Sequence, residues 1–315
     1  MDIDKKLKLI DKILPGFKKS MESCDLCPRN CKIDRTKGEK GYCRSGANAL
    51  VHSSSPHHGE EPPLSGHAGS GTIFFSNCNM GCVYCQNYQF SQHPLGKEVS
   101  PREFADMMLD LQEEGCHNIN FVTPTHFVTP IVEALKYAYA DGLKLPTVYN
   151  TGGYDSPRVI RSLDGIIDIY MPDMRYASNE MAEKYSCAPG YVEVNRNIVK
   201  EMHKQVGVLN IEKGIAVKGL IIRLLMLPGG LSGTTETLEF IAGNLSKDSY
   251  LSVMSQYYPA YKAASYKELD HRISWDDHKL VTEKMDELGL SNGWQQPFFG
   301  GFDDRFAGEN FTPDL

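Results

Sequence analysis

Cysteine supplies the chemistry most readily available to this chain. Cys78, Cys82 and Cys85 fall within eight residues, in Ser76-Asn77-Cys78-Asn79-Met80-Gly81-Cys82-Val83-Tyr84-Cys85, directly after the apolar run Thr72 to Phe75. With three and then two residues between them, the thiols cannot all point one way from a helix or a strand. The spacing therefore predicts a loop curled around something compact, and Gly81 lets the backbone approach closely. A cubane 4Fe-4S cluster takes four thiolates, so three thiols and no fourth in the loop predict one iron open to a non-protein ligand. A structural zinc is the competing reading: zinc takes four ligands, usually as two close pairs, with His93 as the available fourth.

A second set, Cys24, Cys27, Cys31 and Cys43, spans twenty residues, with turn residues Gly38 and Gly41 before the last. Four thiolates can close one metal site. Zinc would hold a segment too small for its own core. A fully ligated second iron-sulfur cluster would relay electrons or brace the fold. Free or redox-active thiols are the third reading. Cys116 and Cys187 stand alone and read as small buried side chains.

The chain has 315 residues, a net charge of -7 and no basic stripe, which argues against nucleic acid as a partner. No run of about eighteen apolar residues suggests a membrane span, and the charged amino terminus does not resemble a signal peptide. Nine cysteines with these features suit metal binding in a reducing cytoplasm.

The elements that must position these groups follow a repeating strand and helix pattern. Residues 1–22 read as one or two short amphipathic helices around Pro15. Residues 51–70, with His57, His58, Glu60 and Glu61, lack periodicity and read as a connector. Those four residues either line a substrate entrance, bind metal or sit in a solvated linker. Ser100-Pro101-Arg102-Glu103 is a capping box opening an amphipathic helix that stops at Gly115. Strands are predicted at 119–123, 146–150, 166–170, 217–227 and 250–255. Helices start at Thr129, Ser156 and Thr234, residues 178–207 are mostly helical, and Ser274 caps a last helix ending at Gly289.

Strands separated by helices imply a parallel sheet. The expected fold is α/β, with a small N-terminal metal-binding module in residues 1–50, a connector in 51–70 and a barrel in 71–260. Residues 261–315 are expected to form a helix and a tail packed on that barrel. The aromatic and glycine-rich tail from Gly293 to Phe302 either closes an open barrel side, forms a lid, or packs on outer helices.

The CxxxCxxC pattern at the end of a predicted strand, with Tyr84 before the third cysteine, resembles the radical S-adenosylmethionine (SAM) superfamily. The six repeats match its partial (βα)6 TIM-like barrel. The resemblance implies a 4Fe-4S cluster held by Cys78, Cys82 and Cys85, with SAM chelated at the open iron. It further implies reductive cleavage to a 5'-deoxyadenosyl radical that abstracts hydrogen from a substrate. A one-electron donor such as flavodoxin or ferredoxin is then required.

In parallel barrels the reactive groups follow the strands. Where relatives carry Gly-Gly-Glu to receive the SAM amino group, this chain has Val-Thr-Pro-Thr-His, so Thr123 or backbone carbonyls would substitute. Asn150-Thr151-Gly152-Gly153 resembles the family's Thr-Asn-Gly turn, with a plain β-to-α turn as the alternative. Asp173-Met174-Arg175 resembles the Asp-Leu-Lys element of glycyl radical enzyme activases, with Arg175 placed to pair with the methionyl carboxylate. Arg223 lies either near SAM or in a structural ion pair, and Gln256 is a candidate ribose contact. Over residues 71–258 the closest resemblance is to the pyruvate formate-lyase activating enzymes. It implies a radical SAM oxidoreductase acting on a glycine of a partner glycyl radical enzyme. A small molecule or another macromolecule is the alternative substrate, and a non-catalytic iron-sulfur or zinc protein is the remaining reading.

Overall fold

The computed structural model describes residues 2–298. The chain opens with helix α1 (Ile3–Glu22), which is continuous through Pro15. Ile10, Leu14, Phe17 and Met21 form its buried stripe and pack it against a later helix, so tertiary burial outweighs the hydrogen bond that proline removes. Lys6 lies under this helix, where its ammonium donates to Asp168 at 2.6 Å and to the Tyr139 hydroxyl at 3.1 Å.

Strand β1 (Ala49–His57) and the one-turn helix α2 (Pro62–Ser65) follow, then β2 (Ser70–Phe75), α3 (Tyr88–Ser91) and β3 (Lys97–Val99). The repeating units come next: α4 (Pro101–Glu113), β4 (Ile119–Val122), α5 (Val128–Ala140), β5 (Thr147–Thr151), α6 (Pro157–Ser162) and β6 (Ile169–Pro172). Then come α7 (Asn179–Ser186), α8 (Tyr191–Val206), β7 (Asn210–Glu212), β8 (Ile215–Leu225), α9 (Thr234–Asn244), β9 (Tyr250–Met254), α10 (Trp275–Leu288) and β10 (Gly293–Gln295). The capping box expected at Ser100 forms, the cap expected at Ser274 forms as part of a second capping box with Asp277, and Gly289 ends α10 in the left-handed conformation.

The sheet order is β10-β9-β8-β6-β5-β4-β2-β1-β3. Six neighbouring strands, β2, β4, β5, β6, β8 and β9, run parallel as the six-unit barrel requires. Two features differ from the sequence reading. Residues 49–57 are an antiparallel strand beside β2 rather than part of a connector, and Pro56 is tolerated because β3 pairs only with 49–51, leaving the outer edge of β1 free there. At the other end, the tail adds β10 as a further parallel edge strand. Residues 299–302 of the glycine-rich tail lie outside the described residues.

Between β1 and β2 the chain enters the barrel instead of running through solvent. Leu64 on α2 is wholly buried and packs with Val148, Ile169, Met171, Ala216 and Ile221 from β5, β6 and β8. The Asn118 side chain on β4 donates to the Leu64 carbonyl at 2.9 Å. This plug fills the lower half of the barrel and leaves the upper half, at the carboxyl ends of the strands, as a cleft.

Candidate active site

The cysteine loop leaves β2 and is pinned on several sides by backbone hydrogen bonds. Gly81 and Val83 donate to the carbonyls of Ser186 and Tyr185 at the end of α7, at 2.9 and 2.8 Å, and Asn77 donates to Phe90 at 2.9 Å. Asn77 is held at φ +69°. A Cβ on Gly81 would lie 2.8 Å from the Tyr42 hydroxyl, so this glycine admits the N-terminal module rather than the bound group.

Every sulfur of the loop has a hydrogen-bond partner. The Met80 N–H donates to Cys78 Sγ at 3.3 Å, the Ser186 hydroxyl donates to Cys82 Sγ at 3.0 Å, and Cys85 Sγ lies 3.1 Å from the Ser91 hydroxyl. Ser186 is in turn 2.7 Å from the Tyr176 hydroxyl, which is 2.6 Å from that of Tyr84. Tyr84 thus ends a buried chain that leads to Cys82. Burial, followed by the neighbouring Cys82, pushes the thiols of Cys78 and Cys85 up to about 12 and 11, so ligand binding must displace their protons.

Among the described residues no three His, Cys, Asp or Glu side chains stand close enough to share one metal ion. His93, the fourth ligand that a zinc in this loop would need, is exposed. The three thiols, each with its hydrogen-bonding neighbour, would hold a cubane cluster by three of its irons and leave the fourth to another ligand.

The loop borders a cleft of about 180 Å³. Of the residues singled out from sequence, Tyr84, Cys85, Asn150, Asp173, Arg175, Arg223 and Gln256 meet on its walls. Asp173, immediately beyond β6, accepts from both arginines: Arg223 Nε at 2.8 Å and a terminal nitrogen of Arg175. Arg223 also donates to Asn150 Oδ1 at 2.8 Å, so its guanidinium is held largely by the protein, in the ion pair that the sequence offered as the alternative. Arg175, also paired with Asp173, keeps its side chain part-exposed on the cleft wall beside the loop. A guanidinium there fits the carboxylate of SAM.

Three predicted contacts lie elsewhere. The Thr151 hydroxyl donates to Asp155 at 2.6 Å, inside a network that also contains Thr125 and Tyr149. Gly152 sits where a Cβ would be 3.1 Å from Met80 Sδ, and one on Gly153 would be 2.2 Å from both Asn195 Nδ2 and the Asp173 carbonyl. These glycines admit protein neighbours rather than a ligand. Thr123 does not line the cleft, but its backbone is at φ +61°, a conformation that costs a β-branched residue about 1–3 kcal/mol. Its N–H donates to Asn150 at 2.8 Å, so the strained turn fixes a cleft residue.

Of the readings open for Glu60 and Glu61, the structure favours the entrance over the solvated linker: Glu60 lines the cleft, with a carboxylate oxygen 3.8 Å from Arg223, and Glu61 is 4% exposed. Burial raises the affinity of both carboxyls for protons, taking Glu61 to about 7. His57 lines the same cleft, and burial depresses its imidazole to about 4, so it is neutral at pH 7. Cys187 is exposed at the end of α7, correcting its reading as a buried side chain, whereas Cys116 is buried as expected. The four cysteines of the N-terminal module line one cavity. There the Cys27 thiol is pushed up to about 12, first by burial and then by the other three thiols.

The model of the radical SAM superfamily matches residues 72–241 of this chain. The uncharacterized protein MJ0674 of Methanocaldococcus jannaschii is 29% identical over 295 residues, covering 90% of this chain and 80% of that protein. Among solved structures, anSMEcpe with bound AdoMet is 11% identical, with a TM-score of 0.46, covering 69% of this chain and 61% of its own. HydG, a maturase of the FeFe-hydrogenase, is 15% identical, with a TM-score of 0.48, covering 68% and 47%. The chain thus spans less than two thirds of either structure. No helix among the described residues is long and apolar enough to cross a membrane. With the family model covering more than half of its length and the three-thiol loop at the mouth of a six-stranded parallel barrel, this chain belongs to the radical SAM superfamily.

Proposed function

We propose that this radical SAM enzyme abstracts hydrogen from a glycine of a partner polypeptide, in the manner of a glycyl radical enzyme activase. As a member of the superfamily it is an enzyme that uses a 4Fe-4S cluster and SAM, which together supply the 5'-deoxyadenosyl radical. The chain's own residues bind, orient and shield. Cys78, Cys82 and Cys85 hold three irons. Arg175, on the cleft wall, receives the methionyl carboxylate and is kept in place by Asp173. Asn150 and Gln256, both on the cleft wall, orient the nucleoside portion. Tyr84 shields the cluster and steadies Cys82 through Tyr176 and Ser186.

The observation that carries the activase reading is the Asp173-Met174-Arg175 element with both charged side chains in the cleft. Its test mixes the anaerobically reduced enzyme, SAM and a glycyl radical enzyme, and looks for a glycyl signal by electron paramagnetic resonance (EPR). Formation of 5'-deoxyadenosine without that signal rules out the glycine substrate.

A second reading has its own support. Glu60 brings a buried carboxyl to the cleft, where a cationic group on a small molecule would find a partner. Mass spectrometry of products formed from candidate amines separates this substrate class from a polypeptide.

The four thiols of Cys24, Cys27, Cys31 and Cys43 we assign to a bound metal centre, zinc or a second cluster.

A further inference from the structure

The three sulfurs of the loop are served in different ways. Cys78 takes the backbone N–H of Met80, and Cys85 meets the hydroxyl of Ser91 in the same segment. Cys82 instead ends a relay of side-chain hydroxyls drawn from three places: Tyr84 in the loop, Tyr176 after β6 and Ser186 at the end of α7. Its four members are between 0 and 7% exposed, so the relay is closed to bulk solvent.

Each hydroxyl owns one proton, and that fixes the direction of the relay. A Cys82 thiolate has no proton to give, so Ser186 donates to it across 3.0 Å. Ser186 then accepts from Tyr176 at 2.7 Å, and Tyr176, its own proton committed, accepts from Tyr84 at 2.6 Å. Tyrosine keeps its proton up to about pH 10, so this direction stands at neutral pH. All three protons point toward the sulfur.

A Tyr84 ring that only shielded the loop would need no hydroxyl, since phenylalanine covers the same area. The hydroxyl is buried, which is costly unless it is bonded, and its bond opens a network whose far end is a cluster ligand. The middle of that network is held from the side. Tyr176 meets Tyr191 edge to face with centroids 5.7 Å apart, and the Tyr191 hydroxyl accepts from the Arg175 N–H at 3.1 Å.

We propose that Tyr84 is a positioning residue that acts on Cys82 at a distance: through Tyr176 and Ser186 its hydroxyl draws negative charge from that sulfur and raises the reduction potential of the cluster held by the loop. Hydrogen bonds to cluster sulfurs act in this direction because the reduced state is the more negative one. Bonds in series polarise one another by about 10–30% each, so Tyr84 has a smaller influence than Ser186 and the same sign. The inference rests on the reading that Cys78, Cys82 and Cys85 hold a 4Fe-4S cluster.

The test is an anaerobic redox titration of the iron-loaded full chain with dithionite and mediators, followed by EPR of the reduced cluster. Ser186→Ala is expected to make reduction about tenfold less favourable, which lowers the potential by about 59 mV for one electron. Tyr84→Phe is expected to do so about twofold, with Tyr176→Phe in between. Tyr257→Phe is the control. Its ring lies 5.9 Å from that of Tyr84, but its hydroxyl donates to the Leu269 carbonyl outside the relay, and the potential is expected to stay at the wild-type value. A wild-type potential in Tyr84→Phe, or a matching shift in Tyr257→Phe, overturns the relay. If Tyr84→Phe does not load iron, Tyr176→Phe carries the same test, because it severs Tyr84 from Ser186. A chain that takes up no cluster at the loop would instead sink the catalytic reading, and the relay with it.

Discussion

Two sets of cysteines in this molecule are built to opposite ends. The loop after β2 offers three thiols, each with a hydrogen-bond partner, beside a cleft lined by Arg175. The N-terminal module offers four thiols around a small cavity, braced by the buried Arg35, which donates to the His126 carbonyl at 2.7 Å. A site with three protein ligands has room for chemistry. A site with four is closed, and can store or pass charge but cannot bind a substrate.

Substitutions separate the two sets. Cys82→Ser is expected to remove the catalytic cluster and abolish SAM cleavage while the module keeps its metal. Iron analysis together with a 5'-deoxyadenosine assay reads both, and loss of module metal in the same variant would contradict their independence.

Arg175→Gln removes a charge-assisted hydrogen bond worth about 1.5–3 kcal/mol, so SAM is expected to bind about 10- to 100-fold more weakly with the cluster intact. A calorimetric titration checks it, and unchanged affinity would move the carboxylate contact elsewhere. Ser186→Ala deletes the hydroxyl donor to Cys82, and about a tenfold loss of iron affinity or activity is expected, with a lower cluster potential. A redox titration distinguishes this from simple destabilisation.

The carboxyl pair in the barrel predicts an unusual pH dependence. Glu61 holds its proton up to about 7 when folded, against 4.5 ordinarily, because it is buried. The folded state therefore binds this proton more tightly than the unfolded chain, and stability falls as pH rises through that window and levels off above it. The decline is up to about 3 kcal/mol at the full shift, and Glu61→Gln is expected to flatten it in denaturant titrations across pH. The smallest effect belongs to a cap far from both sites. Ser100→Ala is expected to cost about 1 kcal/mol without changing either metal centre.

Much of this arrangement was legible in the sequence because it is local. The capping box at Ser100, the cap at Ser274, the periodic helices and the CxxxCxxC spacing each encode their structure within a few residues. The plug was not. Residues 51–70 carry Ser, His, Glu and Pro, which normally mark a solvated segment, yet Glu60 and Glu61 enter the barrel because Arg223 and the polar layer beneath the cleft receive them. The partner of Cys82 was equally hidden, since Ser186 lies 104 residues away and reaches it only through the packing of α7 on the loop. The glycines after β5 resemble a family turn, yet the space beside them is taken by Asn195, Asp173 and Met80. The residue type signalled a close approach without identifying the group that approaches.

The claim on which the rest depends is that the Cys78, Cys82 and Cys85 cluster has one iron free for SAM. Electron-nuclear double resonance on the reduced enzyme, with SAM labelled by nitrogen-15 at its amino group and oxygen-17 at its carboxylate, tests it directly. The account predicts hyperfine coupling from both labels, lost in Cys82→Ser and retained in Cys27→Ser. A cluster spectrum indifferent to SAM, or zinc in place of iron at the three sulfurs, would contradict it.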